Sequence, residues 1–171
     1  LSFRMQASHA PDAIDVYCDS DWGGCSHGTM RSTSGVLVSV GGMIVTSISS
    51  TQPGLPSLSS AEAELRAVCK GTVEGLYVQD IMKFIDWKLP LRIYTDSSAG
   101  KAATQRLGVG KMRHLDIQYC FVQRLYADKK LTIHKVLGTE NPADLLTKYV
   151  TTSTLGSMLA QVGLCHCPVD E

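Results

Sequence analysis

A chain of 171 residues, 44% of them hydrophobic, is long enough for one domain with a real core. Its 16 basic and 16 acidic residues balance, which excludes recognition of nucleic acid by bulk charge and leaves that task to local patches. No run approaches the eighteen apolar residues of a membrane span, no leader segment is recognisable, and the chain opens on Leu1, as an excised fragment would.

In chain order, "IDVYCDSDW" alternates: Ile14, Val16 and Cys18 take one face, Asp15, Tyr17, Asp19 and Asp21 the other. That is a strand, ending in the loop "GGCSHG". "STSGVLVSV" and "MIVTSIS" flank Gly41 and Gly42 and predict a hairpin. After Pro53 to Pro56 the period becomes helical, with Leu65, Val68, Cys69, Thr72, Leu76, Val78, Ile81 and Ile85 predicting a helix from Ser60 to Trp87, bent at Gly71 or Gly75. "LRIYTD" predicts a strand and "SSAGKAATQRL" a short helix. The next helix, "HLDIQYCFVQRLYADKK", is expected to pack Leu115, Cys120, Phe121, Leu125 and Tyr126 inward. "LTIHKV" predicts a fifth strand, and a last helix starts at Pro142, a good first-turn residue. A weaker pattern through Leu155, Met158, Leu159 and Val162 leads to a loose tail. The order β-β-β-α-β-α-α-β-α predicts an α/β fold with a five-stranded mixed sheet flanked by helices.

Cys18, Cys69 and Cys120 sit in apolar patterns and are expected to be buried. Cys25, His27 and the tail Cys165-His166-Cys167 lack the spacing of a zinc site.

Four acids stand near element ends: Asp19, Glu64, Asp96 and Asp144. Strand ends line the functional crevice of α/β sheets. Singly, each fits an ordinary role, Asp19 as a turn residue and Asp144 as a complement to a helix dipole. Together they would repel unless a cation neutralised them, and an oxygen-only set favours magnesium or manganese. Paired ions of that kind serve phosphodiester displacement. The two glutamates of "LSSAEAEL" separate: Glu62 follows Ser59 by three residues, as in a capping box, and precedes Arg66 by four, whereas Glu64 has neither partner.

"YCDSDWGG", "RSTSG", "LSSAEAEL", "YTDSSA", "RHLDIQ" and "ENPADLLTK" occur in this order. They resemble the ribonuclease H domain of the Pol polyprotein of copia-type (Pseudoviridae) LTR retrotransposons, over residues 14 to 149. The resemblance implies a ribonuclease H-like fold and hydrolysis of the RNA strand of RNA–DNA hybrids during reverse transcription. It implies two Mg2+ ions, for which Mn2+ can substitute, on Asp19, Glu64, Asp96 and Asp144, with Asp21 an outer-shell candidate. It further implies a reverse transcriptase domain in the same polyprotein, no membrane, and residence in a cytoplasmic virus-like particle or the nucleus. Residues 1–13 would be the remnant of the connection to that polymerase, 14–150 the ribonuclease H domain, and 151–171 a helical extension and tail. Cellular relatives carry a histidine in the loop before the last acid; here "VLGTENPAD" has none and His134 lies earlier, which implies slower turnover. A weakly active or inactive module that binds nucleic acid or tethers the polymerase is the alternative. Integrase-type nucleases place the glutamate last among the acids, and here it is second.

A hybrid would be held by its phosphates and 2′-hydroxyls. Between Ser97 and Leu115 stand Lys101, Arg106, Lys111, Arg113 and His114 with no acid, and these with Ser97 are candidate phosphate contacts. Ser32, Thr33 and Ser34 are candidate backbone contacts. A solvated surface and a Ser/Thr-rich strand explain the same residues without a substrate.

Overall fold

A computed structural model describes residues 2–5, 7, 9–24, 29–105 and 117–167. Its strands are β1 (Ser2–Met5), β2 (Ile14–Asp21), β3 (Thr33–Val40), β4 (Met43–Thr51), β5 (Leu91–Thr95), β6 (Leu131–Lys135) and β7 (Leu164–Cys167). Its α-helices are α1 (Ser60–Phe84), α2 (Ser98–Gln105), α3 (Ile117–Ala127) and α4 (Thr152–Gln161). The last acid sits in a 3-10 turn, Pro142–Leu146, rather than in the α-helix expected there.

The five-stranded sheet runs β4-β3-β2-β5-β6. β4, β3 and β2 pair antiparallel; β2, β5 and β6 pair in parallel. Gly41 and Gly42 both hold positive φ (61° and 75°), the conformation of the tight two-residue hairpin turn that glycine enters without penalty. The parallel half needs long crossovers, which α1 and then α2 with α3 supply. Its consequence is local: the C-terminal ends of β2, β5 and β6 lie side by side, with Cys18 opposite Thr95 and Thr95 opposite Lys135. Asp19 and Asp96, each one residue beyond, therefore share one sheet edge. On the polar face of β2, Asp15 is held by Arg92 of β5 at 2.6 Å.

α1 starts as its sequence dictates. Ser59 Oγ accepts the Glu62 amide at 3.2 Å, Glu62 Oε2 accepts the Leu58 amide at 3.0 Å, and Arg66 pairs with Glu62 at 2.8 Å. The helix runs unbroken past both glycines, which serve close approach. A Cβ at Gly71 would run into Cys18 Sγ, and one at Gly75 would stand 2.7 Å from Leu91 Cδ1. The helix ends at Phe84, three residues before Trp87, because Asp86 turns left-handed (φ 62°). The Trp87 amide then donates to Met82 O and the Asp86 amide to Lys83 O, a Schellman closure without glycine.

The core joins Ile14, Val16 and Cys18 of β2 to Val36 and Val38 of β3, Leu65 and Val68 of α1, and Ile93 and Ile133. α3 buries the expected face in part: Leu125 is buried and Tyr126 packs against the core. Tyr119, Val122 and Leu125 point inward, whereas Cys120 and Phe121 are exposed. The helix begins at Ile117, and Leu115 lies outside the described residues. α4 packs Met158 and Val162 inward. β1 and β7 pair antiparallel, Ser2 opposite Cys167, so the segment expected to be a loose tail closes a small sheet with the start of the chain. Among the described residues, no helix is long and apolar enough to cross a membrane.

Candidate active site

Asp19 is fixed first. It lies one residue from the end of the β2–β5 ladder, is 1% exposed, and pairs in register with Gly35. That glycine is required: a Cβ there would come within 2.7 Å of Ala143 O and 2.8 Å of Thr147 Cγ2. Its absence lets the Pro142–Leu146 turn lie against the sheet. Asn141 pins the turn from inside. Fully buried, it donates from Nδ2 to Cys18 O (3.0 Å) and accepts the Ala143 amide on Oδ1 (3.3 Å).

Glu64 comes from the second turn of α1, Asp96 from the residue after β5. One carboxylate oxygen from each of Asp19, Glu64 and Asp96 lies within 4.8 Å of the others. Ser20 Oγ donates to Glu64 Oε1 at 2.9 Å, while Glu64 Oε2 is buried without a hydrogen-bond partner. Burial pushes the Glu64 carboxyl up to about 8, Asp19 adds to the rise, and the Ser20 hydroxyl opposes it. Asp96 is raised by burial and by Asp19, with Lys148 and Lys135 pulling it back. The start of α2 closes the far side, where a Cβ on Gly100 would touch Glu64 Cβ at 3.4 Å.

Asp144 stands beside this group and outside the tight triad. Burial and then Asp19 raise its carboxyl to about 6. Its Oδ1 is 3.1 Å from Lys148 Nζ, and the same ammonium is 3.4 Å from Asp19 Oδ2. Burial works against the charge on Lys148, but Asp19 and Asp144 outweigh it and hold its pKa above the ordinary lysine value. Thr147 Oγ1 donates to Asp19 Oδ2. The sequence reading overlooked Lys148, although its place four residues after Asp144 in "ENPADLLTK" is the signal that would have found it. Asn141 and Gly35 gave no such signal, because their partners are distant in sequence.

The remaining expectations divide. Asp21 accepts the Thr33 amide at 2.5 Å and is not one of the three acids of the triad. Ser32 and Ser34 are corrected as substrate contacts: they are 0% and 2% exposed, Ser32 Oγ accepting the Gly23 amide and Ser34 Oγ accepting Gln52 Nε2. Thr33 is half-buried. Ser97 Oγ accepts the Gly100 amide at 2.9 Å as the cap of α2, and Lys101 follows, half-buried, in its first turn. Arg106, Lys111, Arg113 and His114 lie outside the described residues, as do Cys25 and His27.

An all-oxygen donor set, one member of which keeps a buried carboxylate oxygen with no hydrogen bond, fits a hard divalent cation such as magnesium or manganese.

No protein-family model matches the chain. It is 26% identical over 159 residues to the retrovirus-related Pol polyprotein from transposon RE1 of Arabidopsis thaliana, covering 91% of this chain and 11% of that protein. It is 28% identical over 136 residues to the corresponding polyprotein of transposon TNT 1-94 of Nicotiana tabacum, covering 78% and 10%. The chain thus spans about a tenth of the length of these relatives. Among solved structures it resembles LC11-RNase H1, isolated from compost by a metagenomic approach, with a TM-score of 0.56 at 16% identity, covering 80% of this chain and 93% of that one. That RNase H1 has also been solved in complex with an RNA/DNA hybrid (TM-score 0.54, 16% identity, 78% and 93% covered). Prototype foamy virus protease-reverse transcriptase matches with a TM-score of 0.51 at 14% identity, covering 92% of this chain and 22% of that one.

Proposed function

We propose that this chain, which has the ribonuclease H fold and copia-type retrovirus-related Pol polyproteins as homologues, hydrolyses the RNA strand of RNA–DNA hybrids during reverse transcription of a retrotransposon. The observation that carries the reading is the Asp19–Glu64–Asp96 cluster, in which one Glu64 oxygen is buried without a hydrogen-bond partner. The hybrid-bound structure of an RNase H1 of the same fold supports the choice of substrate.

Asp19, Glu64 and Asp96 would hold the first divalent ion, and Asp144 would join Asp19 for a second. When bound, such ions polarise phosphoryl oxygens and lower the pKa of water, which makes attack on phosphorus feasible at neutral pH. The chain's own residues do the rest. The sheet edge and the start of α1 fix the carboxylates before substrate arrives, so little reorganisation remains for the reaction. Asn141 and Gly35 keep the Asp144 turn on the sheet. The half-exposed cations Lys101 and Lys148 face incoming phosphates, with Thr33 and Ser97 as further polar contacts. Attack by water breaks the bond from phosphorus to the 3′-oxygen and leaves a 3′-hydroxyl and a 5′-phosphate. The wider setting, a reverse transcriptase in the same polyprotein within a virus-like particle, belongs to the same proposal.

The test is cleavage of a labelled RNA–DNA hybrid with and without Mg2+, beside an Asp96→Asn variant. Wild type is expected to cut only with the ion, and the variant to be slower by roughly a hundredfold or more. Wild-type protein that fails to cut, both alone and joined to its polymerase, would sink the activity; an undiminished Asp96→Asn would sink the site.

A further inference from the structure

The second half of α1 is apolar on both faces. Leu76, Val78 and Met82 pack against the core, as a surface helix requires. The outer face carries Val73, Tyr77, Ile81 and Phe84, with Ile85 and Trp87 just past the helix end, and all six are exposed. Phe84 is 91% and Tyr77 66% exposed. A helix that is hydrophobic all round belongs inside a larger body. Val73, Tyr77, Ile81 and Ile85 recur at every fourth position and form one ridge of the kind that packs against another helix. Together the six side chains expose on the order of 750 Å², more than the largest apolar patch of an ordinary monomer and close to one partner's share of a standard protein interface.

The same face holds a groove. About 720 Å³ of space lies beside the N-terminal end of the ridge, walled by Leu55, Cys69, Val73, Tyr119 and Phe121 among others. It is large enough to take an aromatic side chain. Knob and groove stand at opposite ends of the ridge, because Phe84 lies about 16 Å along the helix from Val73. That spacing makes the face self-complementary. Two copies crossed antiparallel about a two-fold axis would each set Phe84 into the other's groove, so both knobs and both grooves are filled at once. The rim, Lys70, Glu74, Asp80 and Lys83, carries both signs equally, which suits a protein partner and offers little to a polyanion.

We propose that the outer face of α1 is the interface of a two-fold dimer of this chain, built on Val73, Tyr77, Ile81 and Phe84, with Phe84 of each copy seated in the groove of the other. This dimer is independent of the nuclease reading. Glu64 stands near the other end of α1 and faces the sheet edge, so the acids of both copies are left uncovered.

The experiment is sedimentation velocity of the whole chain from about 1 to 200 µM, with circular dichroism to confirm folding. Wild type is expected to pass from the mass of one chain to that of two across this range. Phe84→Lys and Val73→Glu are each expected to weaken the dimer by about tenfold or more. Leu155→Glu, at an exposed apolar site on α4, should keep it. An equimolar mixture of Phe84→Lys and Val73→Glu should dimerise again. Antiparallel crossing sets the new lysine beside the new glutamate at one contact and leaves Phe84 against Val73 at the other. Wild type that stays a single chain at ~200 µM would overturn the proposal, including the case in which a joined polymerase shields Tyr77 and Phe84 from surface labelling and so takes the face instead. A dimer that both variants leave unchanged, or a mixture that does not recover, would overturn it as well.

Discussion

Two glutamates two residues apart end in different chemistry because their neighbours differ. Glu62 caps α1 and pairs with Arg66, as "SSAEAELR" allowed one to read. Glu64 points at Asp19 and Asp96, and its raised carboxyl has a consequence for stability. A carboxyl lifted to about 8 in the fold and ordinary when unfolded binds its proton more tightly in the folded state. Its contribution is therefore complete below pH ~4.3 and is lost as pH rises through about 8. Asp144, lifted to about 6, acts in the same direction over a lower window. Metal-free protein should lose melting temperature between pH 5 and 8, and Mg2+ should return most of it at the upper end. Glu64→Gln should flatten that slope and stabilise the metal-free protein at pH 8 by up to about 5 kcal/mol. Melting curves across pH, with chelator and with Mg2+, check this; a slope unchanged in Glu64→Gln would refute it. The convergence of Asp19, Glu64 and Asp96 was legible because each stands near the end or the start of an element. Lys148 was legible only in its i,i+4 spacing from Asp144; its contact with Asp19, 129 residues away, was not.

At the scale of elements, periodicity located the strands and helices of the main sheet, and the misses have local causes. The end of α1 was misplaced because the left-handed position that closes it is Asp86 rather than glycine. On α3, Leu125 and Tyr126 pack inward as expected, but Tyr119 and Val122, at three-residue spacing before Leu125, take the buried places expected for Cys120 and Phe121. Gly71 and Gly75 resembled helix breakers in sequence, yet they are the ridge on which α1 meets β2 and β5. Gly71→Ala is expected to cost about 1–3 kcal/mol, since the new methyl meets the buried Cys18 sulfur, and denaturant unfolding would measure it. Asn141→Ala should cost a similar ~1–3 kcal/mol by orphaning the Cys18 carbonyl. It should also slow hybrid cleavage more than Gly71→Ala does, because it frees the turn that carries Asp144. Equal loss in the two variants would contradict the positioning role.

For the whole molecule, the mixed topology is what makes a site possible. Parallel pairing of β2, β5 and β6 brings their C-terminal ends together, and the crossover α1 delivers Glu64 to the same edge. This much follows from the order of elements. The β1–β7 pair did not, because four-residue strands joined across the full length of the chain leave no local pattern. Removing residues 1–6 should speed amide exchange in Leu164–Cys167 and leave β2 to β6 protected, a contrast that exchange mass spectrometry resolves. On the proposed reading, the convergent acids form a metal-dependent centre that cuts RNA paired with DNA. The most direct measurement gives one labelled RNA to wild type and to Asp19→Asn in three forms: paired with DNA, paired with RNA, and single-stranded. Cleavage of the hybrid alone, dependent on Mg2+, leaving 3′-hydroxyl ends and lost in Asp19→Asn, is the expected result. Hybrid cleavage that persists in chelator, or in Asp19→Asn, would contradict it.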